Sequence, residues 1–121
     1  MNDPLVKKIC TGYSHSLLLR KNGELFVCGS NNYGELGIGK DKKEETKFIL
    51  LTTEVENIFC GANHSFIYKK NKELLSFGNN YNGQLGIGNK ENQYEPFLLF
   101  KEIEIKTISC GIYHSIILKM K

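Results

Sequence analysis

Three stretches of this chain carry the same pattern at a fixed interval. Ile9 to Ser16 reads I-C-T-G-Y-S-H-S, Ile58 to Ser65 reads I-F-C-G-A-N-H-S, and Ile108 to Ser115 reads I-S-C-G-I-Y-H-S. Ile, Gly, His and Ser hold the same offsets in all three copies, with a period of 49 to 50 residues. A chain that repeats at this spacing is built of like units, each too small to bury its apolar surface alone, so neighbouring units must stack.

A second motif lies between the first ones. Gly29 to Gly39 (G-S-N-N-Y-G-E-L-G-I-G) and Gly78 to Gly88 (G-N-N-Y-N-G-Q-L-G-I-G) agree at seven of eleven positions. Val6, Val55 and Ile105 each stand three residues before the repeat isoleucine, and Phe48-Ile49 answers to Phe97-Leu98. Within one period the pattern predicts four short strands. Val6 to Cys10 is the first. The second is the apolar run Leu17-Leu18-Leu19, matched by Phe66-Ile67-Tyr68 and Ile116-Ile117-Leu118, which is too short for a helix. The turns Lys21-Asn22-Gly23 and Lys70-Asn71-Lys72 lead into the third, Leu25 to Val27 and Leu74 to Phe77. After a long glycine-rich loop, Phe48 to Leu51 and Phe97 to Phe100 supply the fourth. Four strands joined by turns, with no amphipathic helix, make a propeller blade.

The expected fold is therefore all-β: one repeat domain over residues 1–121, a partial β-propeller of four-stranded antiparallel blades, with repeats near 5–53, 54–103 and 104–121. Two blades are full and the third is a half. The chain holds about 2.4 repeats, whereas closed propellers typically use about 4 to 8 blades. Missing sequence, self-assembly into a ring, and a short open array are three ways to account for that shortfall, and the sequence does not rank the first two. Met1 and the last strand, read to end near Lys119–Lys121, resemble deliberate or natural ends.

The H-S pair followed by an apolar run, and then G-x-N-x-x-G-[EQ]-L-G-I-G, resemble the repeat of the regulator of chromosome condensation family over nearly the whole chain. There are departures. The chain has no tryptophan, Cys28 and Phe77 precede Gly29 and Gly78 where the family often has a larger aromatic, and Thr11 stands where the later copies have cysteine. The resemblance implies a protein partner. It also implies a choice of roles: guanine-nucleotide exchange on a small GTPase, a chromatin-bound module, or a partner-binding propeller within a larger protein such as a ubiquitin ligase. The residues used for exchange lie outside the repeat motifs, so none is carried onto this chain.

The motif residues read as scaffold. Gly12, Gly61 and Gly111 precede the histidines. Gly34, Gly37 and Gly39, with Gly83, Gly86 and Gly88, shape a loop that turns sharply and brings backbones close. No helix N-terminus and no G-K-[ST] follows, which argues against a phosphate cradle. Leu36 and Leu85, with Ile38 and Ile87, are expected to pin the loop to the blade beneath. His15, His64 and His114 could serve a metal or a general base. Their recurrence, once per unit at one depth, points instead to structural rings bonded to backbone groups of their own or the next blade, with Ser16, Ser65 and Ser115 assisting. A channel-lining role for them stays open.

Composition removes other classes. The net charge of +3 comes from fifteen lysines and Arg20 scattered among thirteen acids, with no basic stripe, and this speaks against nucleic-acid recognition. Cys10, Cys28, Cys60 and Cys110 form no C-x-x-C pair, so neither a zinc site nor a disulfide framework is read. Cys60 and Cys110 sit at equivalent repeat positions, as small buried residues of a reducing compartment would. Met1-Asn2-Asp3-Pro4 is unlike a secretory signal and no apolar run is membrane-length, so a cytoplasmic or nuclear protein is expected. No catalytic constellation or cofactor motif stands out. The expected function is a non-enzymatic protein-interaction module, with exchange on a small GTPase and a self-assembling propeller fragment as alternatives. Loop residues that differ between repeats, Tyr33, Tyr94 and residues 40–47, are the candidate contacts.

Overall fold

A computed structural model describes residues 5–120 as ten strands with no helix. The readings made on Met1–Pro4 and on Lys121 lie outside those residues. The first sheet contains β1 (Val6–Thr11), β2 (His15–Arg20), β3 (Leu25–Ser30) and β4 (Glu44–Thr52), and the second β5 (Val55–Cys60), β6 (His64–Lys69), β7 (Leu74–Gly78) and β8 (Gln93–Phe100). A two-stranded sheet of β9 (Ile105–Cys110) and β10 (Ser115–Lys119) completes the order. Every pairing is antiparallel between strands adjacent in sequence, so the chain forms two four-stranded blades and a half blade, a partial propeller. Among the described residues, no helix is long and apolar enough to cross a membrane.

The second strands are apolar along consecutive residues, as suits a blade with a neighbour on each face, which the middle blade has here. In the middle blade, Val55, Ile58, Ile67 and Phe77 face back onto Leu17, Leu19, Leu25, Val27 and Leu36 of the first blade. Phe59, Phe66 and Leu74 face forward onto Ile103, Ile105 and Ile108. The alternation of period two assigns each residue of a strand to one interface or the other. Each fully buried large apolar side chain contributes about 1.5–3 kcal/mol to keeping the blades stacked.

The outer strands start earlier than the apolar pattern indicated. β4 begins at Glu44, with Glu44 and Glu45 paired to Ser30 and Gly29, and β8 begins at Gln93. The charged residues of 40–47 resembled loop, yet a blade's outermost strand has one edge in water and accommodates charge there. At the other end of the chain, β10 pairs with β9 alone and exposes Ile116, Leu118 and the adjoining Met120.

Candidate functional site

The repeat histidines form a seam between blades. His15 Nε2 lies 3.1 Å from Ser65 Oγ, and His64 Nε2 lies 2.8 Å from Ser115 Oγ, so each ring meets the serine of the following blade. The assisting serine is therefore the next blade's and not the one that follows each histidine in sequence, and for His15 a hydrogen bond to the His64 backbone stands beside it. Ser65 spends its own proton on the Glu35 carbonyl, 3.1 Å away, and its oxygen therefore accepts from His15 Nε2–H. Burial first, and then the ring of the next histidine, hold His15 and His64 down to about 4, with a contact to the His64 backbone partly opposing this for His15. Both rings are neutral at physiological pH and engaged by serine hydroxyls, which suits a structural link and not proton transfer. His114 differs. It is exposed, because no later strand among the described residues covers it, so the three rings do not share one depth.

The glycine before each ring has a steric purpose. The Gly12 and Gly61 amides bond the His15 and His64 carbonyls at 2.9 Å, and Gly111 bonds His114 at 2.8 Å, closing the turn of each hairpin. A methyl group on Gly12, Gly61 or Gly111 would come within 2.3, 2.0 or 2.6 Å of the Cε1 atom of its own histidine. A Cβ at Gly61 would overlap the ring of its buried histidine, and at Gly12 it would also strike the Ala62 and Gly61 carbonyls at 2.5 and 2.6 Å.

The loops between third and fourth strands are held by an asparagine that the sequence reading did not single out. Asn31 Nδ2 donates to the carbonyls of Gly39 (2.8 Å) and Lys42 (2.9 Å), while its Oδ1 accepts from Leu36 N at 3.0 Å. Asn80 repeats this with Asn89 O at 2.8 Å and Leu85 N at 3.0 Å. Its presence at the third position of both motif copies was the available signal. Glu35 Oε1 and Gln84 Oε1 accept from Tyr33 N and Asn82 N, and burial raises the Glu35 carboxyl above its usual range. Leu36 and Leu85 are fully buried. Gly34, Gly37, Gly39, Gly83, Gly86 and Gly88 all adopt positive φ. At Gly34, a side chain would also strike the Gln93 carbonyl of the next blade at 2.2 Å, whereas Gly83 has open space around it. Ser16, in the first blade, is half-buried and stands opposite Thr11.

The four-strand meander places the turns after each first strand and the loops after each third strand at the same end of the sheets. Hydrogen bonds confirm it: Ser30 N donates to Ser14 O at 2.7 Å, and Asn79 N to Asn63 O at 2.9 Å. That end displays Tyr13, Tyr33, Tyr81, Ile112 and Tyr113, of which Tyr81 is 77% and Tyr13 68% exposed. Between the turns runs an open groove of about 330 Å³, floored by Gly12, Gly61 and Gly111 and edged by Tyr13 and Ile112. The opposite end is a row of charged turns, Lys21 to Glu24, Thr53-Glu54, Lys70 to Glu73 and Lys101-Glu102. Tyr33 therefore belongs to an exposed aromatic surface. Tyr94 corrects the loop expectation: it lies on β8, half-buried, its hydroxyl donating to Asn32 O at 3.1 Å and its carbonyl accepting from Gly39 N at 2.7 Å. Tyr13, Tyr81 and Tyr113 vary between repeats, so a search for identical positions passes over them. Among the described residues no group of three or more His, Cys, Asp or Glu side chains is placed to hold a metal ion.

Comparison with known proteins agrees with this architecture. The human probable E3 ubiquitin-protein ligase HERC4 is 43% identical over 51 residues, 42% of this chain and 5% of that protein. The crystal structure of human WBSCR16 superposes with a TM-score of 0.84 at 29% identity, over 96% of this chain and 31% of that one. Prp20p from Saccharomyces cerevisiae, a protein with binding properties toward Gsp1p and histones, superposes with a TM-score of 0.86 at 22% identity, over 100% of this chain and 33% of its own, a likeness of fold. This chain thus spans about a twentieth of HERC4 and about a third of each structural neighbour. Two models of the Regulator of chromosome condensation (RCC1) repeat match, one at residues 6–35 and 55–84 and the other at 22–68 and 72–118. With its blades, its glycine-seated histidines and nearly its full length accounted for by that repeat, the chain belongs to the RCC1 repeat family.

Proposed function

We propose that this chain is a non-enzymatic protein-binding module whose docking surface is the tyrosine-bearing end of the blades. The observation that supports it is the asymmetry of the two ends: four exposed tyrosines and Ile112 on one, charged turns on the other. Tyrosine gives large contact area with a polar tip at small entropic cost and is enriched at protein interfaces. Here it is carried on turns that the Gly–His contacts and the Asn31 and Asn80 anchors make rigid, so little ordering cost remains at binding. His15 and His64, neutral and engaged in the seam, belong to the scaffold.

The test is site-specific photo-crosslinking. A photoreactive phenylalanine at Tyr13 or Tyr113 should capture a partner that the same group at Lys21 or Lys70 does not. With that partner purified, Tyr13→Ser together with Tyr113→Ser should weaken binding at least about tenfold, corresponding to about 1.4 kcal/mol. Capture from the charged end, with affinity unchanged by the tyrosine substitutions, would overturn the assignment. Exchange on a small GTPase is the second reading, suggested by the family resemblance. It predicts faster nucleotide release on adding the chain at micromolar concentration, and an unchanged rate removes it.

A further inference from the structure

The cysteines contain a pairing that the repeat conceals. Cys60 and Cys110 are equivalent positions, and both point back toward the preceding blade. The forward-pointing position that meets them is Phe59 in the second blade, packed in the same cluster as Cys110, and Cys10 in the first. Where the second interface has a phenylalanine against a thiol, the first therefore has two thiols, on β1 and β5 of different blades, with Cys60 Sγ–H donating to Cys10 Sγ at 3.1 Å.

We infer that Cys10 and Cys60 are a thiol pair that peroxide-class oxidants convert to a disulfide, locking the first blade to the second. The two sulfurs are already in contact, on strands of neighbouring blades. Cys60 lines the open groove at the tyrosine-bearing end and Cys10 is only half-buried, so neither sulfur is sealed from a small oxidant. Reactivity follows thiolate character. The Cys60 hydrogen bond, opposed by burial and helped by the Lys8 ammonium, lowers the Cys10 thiol below its usual range. Cys60 is pushed up, first by that same hydrogen bond and then by burial. Burial alone raises Cys28, and burial first of all pushes Cys110 up to about 11.

The chemistry is balanced. Cys10 thiolate attacks one oxygen of hydrogen peroxide, the O–O bond breaks, and Cys10 sulfenic acid forms while hydroxide leaves as water with the thiol proton. Cys60 sulfur then attacks the sulfenic sulfur, the S–O bond breaks, and the leaving hydroxide takes the Cys60 proton as a second water. Two thiols are oxidised to one disulfide and one peroxide is reduced. The new bond spans a separation of 50 residues in sequence.

Trypsin places the four cysteines in four different peptides, so the experiment can be read on the unaltered chain. After treatment with stoichiometric peroxide, alkylation and non-reducing digestion, the peptide Ile9–Arg20 should be found joined to Phe48–Lys69. Melting should rise on the order of 10 °C, reversibly with a dithiol. Cys10→Ser should abolish the link, and Cys28→Ser or Cys110→Ser should leave it intact. A Cys60–Cys110 link, a link through Cys28, cross-linked dimers, or Cys10 oxidised beyond sulfenic acid without a link would each overturn the inference.

Discussion

Gly61→Ala separates the two reasons a protein can demand glycine. Gly61 does not have the positive φ of the loop glycines, so an alanine is conformationally permitted and would gain about 0.4–1 kcal/mol by restricting the unfolded chain. Against this, its methyl would sit 2.0 Å from His64 Cε1 and 2.5 Å from Nε2. The ring must leave its seat, at a cost of about 1–3 kcal/mol for the overlap and about 1 kcal/mol more for the bond to Ser115. The net is a loss of about 1–3.5 kcal/mol, centred on about 2, lowering the melting temperature by roughly 10 °C in a domain of this size. His64→Ala alone empties a buried site and also costs about 2–3 kcal/mol. The double substitution should cost no more than either single one, because the alanine methyl then projects into the space the ring vacated. Calorimetry or denaturant titration of the four proteins gives the coupling, expected to be about 2 kcal/mol in the rescuing direction. Additive losses, or a Gly61→Ala protein as stable as the parent, would refute the steric account of the motif. Gly88→Ala provides the contrast: space is open around it but φ is +87°, so a cost of about 1 kcal/mol should be independent of any histidine.

Acid should destabilise the chain through its histidines. His15 and His64 lie near 4 when folded against 6.5 ordinarily, so both are neutral in either state above about pH 7, and the unfolded chain alone takes up protons as pH falls from 6.5 toward 4. The expected loss between pH 7 and pH 5 is about 3–4 kcal/mol, followed by thermal melting. Glu35, raised by burial, acts in the opposite sense within the carboxylate range, and His64→Gln should halve the slope. Asn31→Ala removes three loop hydrogen bonds and leaves the Leu36 amide unpaired, which should cost about 3 kcal/mol and speed hydrogen exchange at Leu36 before that of β2. The uncovered edge of β10, with Ile116 62% exposed, should make the chain self-associate at rising concentration in light scattering, and Ile116→Lys should suppress it. A parent protein that is monomeric throughout removes self-assembly as a route to closure.

The repeat was sufficient to derive what each blade does within itself. Strand order, the hairpin turns, the glycine-shaped loop and the burial of Leu36 and Leu85 follow from alternation, turn chemistry and recurrence, which are local properties read along the chain. The boundaries of β4 and β8 were less legible, because Glu44 and Glu45 enter the sheet through backbone bonds at a wet edge, where side-chain polarity carries no signal.

Relations between blades needed the fold. A repeat aligns equivalent positions, yet stacking brings together positions that are not equivalent: His15 with Ser65, Cys10 with Cys60, and Gly34 with Gln93. Tyr94 was expected in a loop and lies on a strand that anchors one. Tyr13, Tyr81 and Tyr113 become one surface because antiparallel order returns every second connection to the same end. Which face of a blade is covered, and which ring is left exposed as His114 is, depends on the neighbour that stacks on it, and that contact is made across space between residues that sequence comparison keeps apart.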